Sequence, residues 1–375
     1  MTARVTTDDL PQAALAAFSA DYFEARAKFL RLAPGAVAYP SAATGPGGEA
    51  LSTDVAWFGD PDAARVFVSI SSTHGVEGYC GSACQLDWLA GGGPGRLKAG
   101  EAALVIHAIN PYGFAWDRRV TEEGCDLNRN FVDFAQGVPE NPGYDELAAH
   151  IVPPALDGPA FAAAEAAVAD YRRRHGEKAF QIARKSGQYR HPAGVFFGGV
   201  APSGPRRTLE RIVADYRLAT RDFVVIVDFH TGLGPFGYGE IQTEEVAGLA
   251  CYHRARAMFG RSVTSSELGT STSVVLNGTM DGYWYQLLGD GQVYVCLEYG
   301  TFDPESGRRV MRQDHWLRAH GGNAPDPALV ARFRAEMRAH FFPDSDDWKE
   351  MVIARARQVQ RQAIEGLRPE TAPLA

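Results

Sequence analysis

Cysteine is scarce in this sequence, and its five residues do not form the framework of a disulfide-rich secreted domain. The number is odd and the spacing is irregular, which argues against a paired set. Cys80 and Cys84 lie four residues apart on a predicted helix, where small apolar side chains on one buried face are the ordinary expectation. A soft metal site is the alternative, but no further ligand lies nearby in the sequence. The cysteines therefore favour a reducing compartment.

Long apolar runs and basic blocks are also lacking. No apolar run is long enough to span a bilayer, and residues 1–10 lack the basic start and apolar core of a signal peptide. Acidic residues outnumber basic ones, 45 to 37, which gives a formal net charge of -8. Short basic clusters such as 172–174 are typical of solvated helix faces. We expect a cytoplasmic protein with no membrane anchor and no nucleic-acid partner.

The chain does contain a large apolar fraction and several buried strand patterns. Its 375 residues are 45% hydrophobic, enough for one large α/β domain or two small ones. The first two apolar runs are separated by a helical pattern, which predicts a βαβ unit with parallel strands. We predict a single domain over 1–375, a three-layer α/β/α fold with a mixed, largely parallel sheet. Its buried strands are predicted at 66–70, 103–109, 223–229 and 293–297.

Helical patterns account for most of the remaining chain. Residues 11–32 are predicted to form one amphipathic helix, and residues 327–341 and 348–365 are predicted to form the last two. The segment from about 132 to 221 is dominated by helix formers. We interpret it as a helical insertion, a connection and lid between sheet strands that is not an independent domain.

A potentially catalytic side chain follows each of the four apolar runs: His74, Asn110, His230 and Glu298. Ligands of open α/β sheets bind outside the carboxyl ends of the strands. A hydrolytic zinc site needs three protein ligands and an open position for water, whose pKa the metal lowers toward ~7. His74 and Glu77 can supply two ligands, and His230 is well placed for the third. Glu298, at the edge of the core, is the candidate general base because partial desolvation raises its pKa.

Two arginines and an acidic residue lie between these positions in the sequence. The guanidinium groups of Arg119 and Arg129 suit either of two tasks. One is to stabilise an oxyanion, and the other is to hold a substrate carboxylate through a two-pronged hydrogen bond. Asp126 is placed to hold the far nitrogen of a ligand histidine and fix its tautomer.

Five motifs occur in a recognisable order along the chain. They are His74-Gly75-Val76-Glu77, Asn110-Pro111-x-Gly113-Phe114, Asp126-Leu127-Asn128-Arg129-Asn130-Phe131, Asp228-Phe229-His230 and Leu297-Glu298. The ordered set resembles the zinc carboxypeptidase superfamily, in particular a bacterial branch of unknown function. Succinylglutamate desuccinylases and aspartoacylases are more distant relatives. The resemblance covers roughly 66–301; the set in order is specific, whereas each motif alone is weak.

The resemblance implies a zinc carboxypeptidase-like fold, also described as phosphorylase/hydrolase-like, and a role for each matching residue. It implies one Zn²⁺ per chain, held by His74, Glu77 and His230. It implies that Asp126 supports the first histidine and that Asn128 and Arg129 bind a substrate carboxylate. It also implies that Arg119, in preference to Arg118, polarises the scissile carbonyl. Glu298 would be the general base and proton shuttle.

These roles together predict a zinc-dependent hydrolase that cleaves an amide or peptide bond beside a free carboxylate. The expected substrate is a small molecule or a short peptide. An N-acyl amino acid deacylase of the aspartoacylase or desuccinylase type would use the same residues. A binding module that keeps the fold without catalysis is the alternative from another class. A homo-oligomer is left open.

Two features set limits on the resemblance. Classical carboxypeptidases carry a mobile tyrosine ahead of the catalytic glutamate, whereas residues 271–274 contain none. Tyr283 and Tyr285 lie closer to Glu298, which puts ordinary C-terminal trimming in doubt. The glycine spacing of 232–237 fits a dinucleotide-binding loop, but His230 and Thr231 intervene and no clear helix follows. We interpret 232–237 as a flexible loop beside the metal.

Overall fold

An eight-stranded sheet with helices on both faces forms the body of the protein. The structure is a computed structural model that describes residues 9–244, 249–322 and 325–368. The strands are β1 (Val37–Thr44), β2 (Ala50–Gly59), β3 (Arg65–Ile70), β4 (Glu101–His107), β5 (Phe223–Phe236), β6 (Gly239–Thr243), β7 (Thr264–Ser265) and β8 (Gln292–Gly300). The helices are α1 (Asp9–Ala16), α2 (Tyr22–Leu32), α3 (Gly78–Ala90), α4 (Pro111–Ala115), α5 (Pro142–Ile151), α6 (Gly158–His175), α7 (Glu177–Lys185), α8 (Gly204–Asp215), α9 (Ala250–Phe259), α10 (Met280–Leu288), α11 (Pro304–His320), α12 (Pro327–Phe341) and α13 (Asp346–Glu365).

The strand order confirms the predicted mixed, largely parallel sheet. The order across the sheet is β1-β2-β4-β3-β5-β8-β6-β7. The central strands β4, β3, β5 and β8 are parallel to one another, while β1, β2 and the β6–β8 pair supply the antiparallel contacts. All four predicted apolar runs are these central strands. Their carboxyl ends therefore meet at one edge of the sheet.

Strand β5 shows how the sheet divides its side chains between two cores. Val224 and Ile226 pack against α8 and α10, and Asp228 and His230 follow them on the same face because strand side chains alternate. Each fully buried aliphatic side chain of this kind contributes roughly 1.5–3 kcal/mol. The opposite face of β5 packs against α3 and α13 through Val225, Val227 and Phe229. The site residues of β5 thus lie on the α8 and α10 face.

The N-terminal helical prediction was wrong in one respect. Residues 11–32 form two helices, α1 and α2, in place of one. Asp21 separates them because its extended backbone cannot continue a helix and its carboxylate accepts a hydrogen bond from the Glu24 N–H at 2.8 Å. That bond caps the first turn of α2. The amphipathic spacing alone did not reveal this break.

The segment 132–221 contains α5 to α8, joined by a non-helical stretch between Lys185 and Gly204. Helices α5, α6 and α7 share a small hydrophobic cluster of their own that includes Tyr144, Val168 and Phe180. Helix α8 packs on the sheet and belongs to the outer layer. The function of this segment as a lid stays a prediction.

The glycine-containing segment after His230 is not a loop. Strand β5 continues to Phe236, and Phe236 pairs with Gly300 of β8 after an irregularity in the register. The interpretation of 232–237 as a flexible loop was therefore wrong, because backbone pairing with β8 overrides the turn tendency of the glycines.

Among the described helices, none is both long and apolar enough to cross a membrane.

Candidate metal centre

The first two candidate ligands lie on a tight turn between β3 and α3. Residues Gly75–Glu77 form a short 3-10 turn directly after His74. A Cβ atom on Gly75 would overlap the backbone of Gly113, so only glycine fits at this contact. The Gly75 N–H also donates to the carbonyl of Arg119 at 3.1 Å. These contacts fix the turn against the backbone that carries Arg119.

Donor atoms of His74, Glu77 and His230 converge on one point. The Nδ1 of His74 lies 2.9 Å from Oε1 of Glu77 and 3.1 Å from Nδ1 of His230. The Nδ1 of His230 lies 3.0 Å from Oε2 of Glu77. All three side chains are buried. Two imidazole nitrogens and a carboxylate in contact at one point form a donor set that zinc favours.

A buried carboxylate stands behind each histidine. The Nε2 of His74 lies 3.0 Å from Oδ1 of Asp126, and the Nε2 of His230 lies 2.8 Å from Oδ2 of Asp228. A carboxylate beside Nε2 orients each ring with Nδ1 toward the shared point, and at His74 the guanidinium of Arg119 also lies 2.7 Å from Nε2. Asp228 is itself held by the hydroxyl of Tyr294, which donates to it at 2.9 Å. Both histidines are thus oriented for ligation through Nδ1.

The sequence prediction missed the part played by Asp228. The structure brings Asp126 to His74, as expected from the motif, and adds Asp228 as the equivalent partner of His230. A signal for it exists in the sequence, because residues two apart on a strand share a face. Asp228 lies in the predicted strand and His230 follows its end directly. The alternation of side chains along a strand is therefore enough to place Asp228 beside His230.

His74, Glu77 and His230 fit a catalytic zinc site better than a second group of potential ligands that shares His230. Cys296 and Glu298 also lie with His230 within ligand range of one another. Burial, and then the charge of Glu298, raise the pKa of Cys296 well above its ordinary value, so its sulfur stays a neutral thiol, a poor ligand. His74, Glu77 and His230 are therefore the residues that would hold zinc, which leaves Glu298 free.

Metal affinity should rise with pH because His230 must lose a proton to bind. Burial alone would lower the pKa of His230, but Asp228 and Glu77 outweigh it and raise the pKa well above its ordinary value. The metal-free protein therefore carries a proton here at neutral pH, and affinity should rise about tenfold per pH unit below that pKa. Zinc titrations at pH 6, 7 and 8 check this, together with proton release measured in buffers of different ionisation enthalpy.

The variant Asp228→Asn provides the control for this measurement. Without the Asp228 charge, the pKa of His230 falls, so the pH dependence of zinc affinity should weaken across the same range. Affinity that stays constant from pH 6 to 8 in the unmodified protein would contradict a protonated His230.

Glu298 lies beside the three ligands without joining them. The register of the parallel strands places it directly opposite His230. Its Oε1 accepts a hydrogen bond from the Leu233 N–H at 2.9 Å. Burial, and then the charge of Glu77, raise the pKa of Glu298 to about 8. A carboxylate that exchanges its proton near neutral pH is suited to acid–base chemistry. Glu298 lies within β8, which continues to Gly300, three residues beyond the predicted strand end at 297.

The structure separates the two adjacent arginines. Arg118 pairs with Asp314 through Nε at 2.8 Å, away from the candidate ligands. Arg119 forms an ion pair with Asp126 and lies 3.6 Å from the carboxylate of Glu77. Arg119 lines the same cavity as the ligands and Arg118 does not. The role of Arg119 in polarising the scissile carbonyl stays a prediction.

Arg129 and Asn128 line that cavity beyond Arg119. Arg129 is 3% exposed, and its guanidinium donates to the carbonyls of Lys185 and Asn128 at 2.7 to 3.0 Å. No described carboxylate forms a salt bridge with Arg129, so it is not held in a structural ion pair with the nearby Asp126. The amide oxygen of Asn128 accepts from the Met280 N–H at 2.8 Å, which fixes the side chain.

Several cavity residues were not expected from the sequence. Their only sequence signal is membership of a strand end or of the inserted segment, which is too weak to single them out. They are Arg184 and Lys185 at the end of α7, Phe196, Gln242 and Glu244 at the end of β6, and Cys296. Segment 132–221 therefore supplies part of the cavity wall.

Comparison with known families identifies the family to which the chain belongs. Residues 18–355 match the family described as "Protein of unknown function (DUF2817)", and the chain belongs to this family. No match was found among curated proteins.

Several solved structures are similar to this chain at low sequence identity. Carboxypeptidase A from Helicoverpa armigera has 14% identity and a TM-score of 0.45 over 88% of this chain and 79% of that one. Bovine thrombin-activatable fibrinolysis inhibitor has 13% identity and a TM-score of 0.39, with coverage of 86% and 96%. An aspartoacylase family protein from Mesorhizobium loti has 14% identity and a TM-score of 0.36, with coverage of 76% and 67%.

Proposed function

We propose that the protein is a zinc-dependent hydrolase that cleaves an amide bond beside a free carboxylate. The observation that carries this proposal is the contact of His74, Glu77 and His230 at one point, with Glu298 opposite His230 in the sheet register. Zinc, when bound, acts as a Lewis acid and makes water acidic enough to react near neutral pH. The remaining chemistry depends on residues of the chain.

Glu298 acts as the proton carrier in this proposal. Its carboxylate accepts a proton from the attacking water and then donates it to the leaving amine nitrogen. Burial supports both steps because it raises the pKa of Glu298 to about 8, close to the working pH. Arg119, beside Glu77 and in the cavity, is placed to stabilise negative charge on the carbonyl oxygen of the substrate.

Arg129 and Asn128 would bind the free carboxylate of the substrate. Within the described ranges the buried Arg129 guanidinium donates only to carbonyls, so it retains its full charge for an anionic ligand. Arg184, Lys185 and Phe196 narrow the cavity from the side of the inserted segment. This wall favours small substrates, and therefore the N-acyl amino acid deacylase over a carboxypeptidase acting on long peptides.

Metal analysis combined with the variant His74→Ala tests the proposal. The purified protein should hold about one zinc per chain, and His74→Ala should lose both the metal and the hydrolysis of N-acyl amino acids or short peptides. His191→Ala is the control, because His191 pairs with Asp145 and does not line the cavity. Absence of stoichiometric metal, with activity unchanged in His74→Ala, would refute a metallohydrolase.

A further inference from the structure

His340 is a cavity residue that neither the proposed metal centre nor the proposed carboxylate site uses. It lies near the end of α12, is 5% exposed, and lines the cavity. Among the described residues that α11 and α12 contribute to the cavity lining, His340 alone has a polar side chain; the others are Pro304, Gly307, Met311 and Phe341. Burial lowers the pKa of His340 to about 4, although the charge of Asp303 acts in the opposite direction. The imidazole is therefore neutral at neutral pH, with one nitrogen that donates and one that accepts.

Ser306 determines which of the two ring nitrogens of His340 carries the proton. The Ser306 hydroxyl donates its single proton to the main-chain carbonyl of Asp303 at 2.7 Å. The Nδ1 of His340 lies 3.1 Å from the same hydroxyl oxygen. Since that oxygen has no second proton to give, Nδ1 is the donor of this hydrogen bond. Nε2 then carries no proton and presents a lone pair.

Gly307 leaves the Nε2 of His340 accessible. A Cβ atom at position 307 would lie 2.7 Å from Nε2, closer than Cβ atoms approach their neighbours in proteins. Within the described ranges, Nδ1 is the only ring nitrogen of His340 with a hydrogen-bond partner. When a substrate displaces water from the cavity, a largely buried acceptor such as Nε2 needs a donor from the substrate.

Arg129 and His340 belong to different walls of the cavity. The Arg129 guanidinium donates to the carbonyl of Lys185, which joins the turn that carries Arg129 to the end of α7. Asp126, at the start of the same turn, lies 3.0 Å from Nε2 of His74. The Arg129 wall therefore meets the proposed metal centre at His74.

The α12 wall meets the proposed metal centre at another ligand. The carbonyl of Phe341, next to His340, accepts a hydrogen bond at 2.7 Å from the hydroxyl of Thr231, which directly follows His230. In the proposed function, Arg129 holds the carboxylate on the amine part of the substrate, and the scissile carbonyl lies at the metal. The acyl part then leads away from Arg129, toward the α12 wall.

We propose that His340 is a specificity-determining residue, and that its Nε2 accepts a hydrogen bond from an N–H on the acyl part of the substrate. This inference rests on the proposed amide hydrolysis and deepens it. The preferred acyl group is itself an N-acylated amino acid residue, so the preferred substrate is a short blocked peptide. His340 binds and orients the acyl part and takes no part in the bond-breaking step.

Two substrates that differ by one group test this role. N-acetylglycylalanine and N-(4-oxopentanoyl)alanine have acyl parts of equal length, and a methylene group of the second replaces the N–H of the first. With the zinc-loaded full chain, the ratio of their kcat/KM values should fall by about tenfold in His340→Phe, because the variant cannot reward the donor. A ratio that stays the same in His340→Phe would refute the role of His340.

Gly307→Ala tests the same role without removing the imidazole. Its methyl group would cover Nε2, so the ratio should again fall by about tenfold. Alanine is a better helix former than glycine, so this variant should keep α11 folded. His320→Phe, an exposed position at the end of α11, is the control and should retain the ratio. A ratio that survives in Gly307→Ala, or falls equally in His320→Phe, would contradict the proposal.

Binding measurements separate this inference from the proposed function. The zinc-loaded Glu298→Gln protein should bind N-acetylglycylalanine about tenfold more tightly than its 4-oxopentanoyl analogue, and adding His340→Phe should abolish the difference. If that difference is found and the unmodified protein cleaves no amide, the role of His340 stands and the proposed hydrolase fails. If both compounds are cleaved with a ratio that His340→Phe leaves unchanged, the hydrolase stands and the role of His340 is refuted. A protein that shows neither cleavage nor the binding difference overturns both.

The tautomer of His340 can be measured in the unmodified protein. Nuclear magnetic resonance of the ring nitrogens should place the proton on Nδ1 at pH 7 and leave Nε2 unprotonated. A proton found on Nε2 would overturn the proposal, because that nitrogen could not then accept a hydrogen bond from the substrate.

Discussion

Glu298→Gln should lower the rate of amide hydrolysis by about 10²- to 10⁴-fold while the protein retains its zinc. Glutamine occupies the same space and can still accept a hydrogen bond from Leu233, but it cannot accept and release a proton. The three proposed metal ligands are untouched by this change. Single-turnover kinetics together with metal analysis of the same sample check both parts of the prediction.

Glu240→Gln is the matched control for this variant. Glu240 lies opposite Glu298 on β6, is likewise buried, and does not line the cavity. Its carboxylate accepts hydrogen bonds from Thr264 and Thr272. A rate loss in Glu240→Gln as large as that in Glu298→Gln would show that the effect comes from sheet disruption, and Glu298 would then lose its assignment as base.

Asp126→Ala should reduce the free energy of unfolding of the metal-free protein by about 3–5 kcal/mol. Asp126 is fully buried and contacts both Arg119 and the Nε2 of His74, so its removal takes away the nearer of the two described carboxylates that pair with the Arg119 guanidinium, the other being Glu77. It also accepts a hydrogen bond from the Asn128 N–H at 3.0 Å, which holds the turn that carries Arg129. Denaturant unfolding in the presence of a chelator isolates this effect from metal binding.

The contribution of Asp126 to the free energy of unfolding should change with pH in a defined direction. Burial would raise the pKa of Asp126, but the charges of Arg119 and His74 lower it well below its ordinary value. The contribution of Asp126 is therefore complete above about pH 4 and is lost as the pH falls further. Asp170→Ala, which breaks an exposed pair with Arg173, should leave the free energy of unfolding nearly unchanged, because solvent screens that pair. Equal losses in the two variants would contradict the role given to Asp126.

The sequence was sufficient for the four central strands of the sheet and for the expectation that His74, Glu77 and His230 lie together. Continuous β-branched runs identify central strands because these are buried on both faces, and parallel strands bring their ends to one edge. His74 and His230 are far apart in the chain but meet for this reason. The roles assigned to the site residues stay predictions, although the structure places these residues around one cavity.

Other features could not be read from the sequence because they depend on three-dimensional neighbours. The continuation of β5 to Phe236 depends on pairing with Gly300, which a glycine-rich sequence conceals. Arg184 has no salt-bridge partner within the described ranges because nearby carboxylates pair with other arginines. These arginines are Arg172, Arg308 and Arg312. Neither fact has a local signature of spacing or composition.

The pairing of His230 with Glu298 across β5 and β8 also bears on how this family can change. The Cα atoms of His230 and Glu298, the proposed ligand and the proposed base, lie one inter-strand spacing apart, ~4.8 Å, a distance set by main-chain hydrogen bonds. Substitutions in the cavity wall can alter which molecules are accepted without disturbing this separation. A one-residue insertion in either strand would turn one of the two side chains to the opposite face. If the proposed function holds, substrate choice and reaction chemistry are encoded in separate parts of the chain, and mutations can exchange the first while preserving the second.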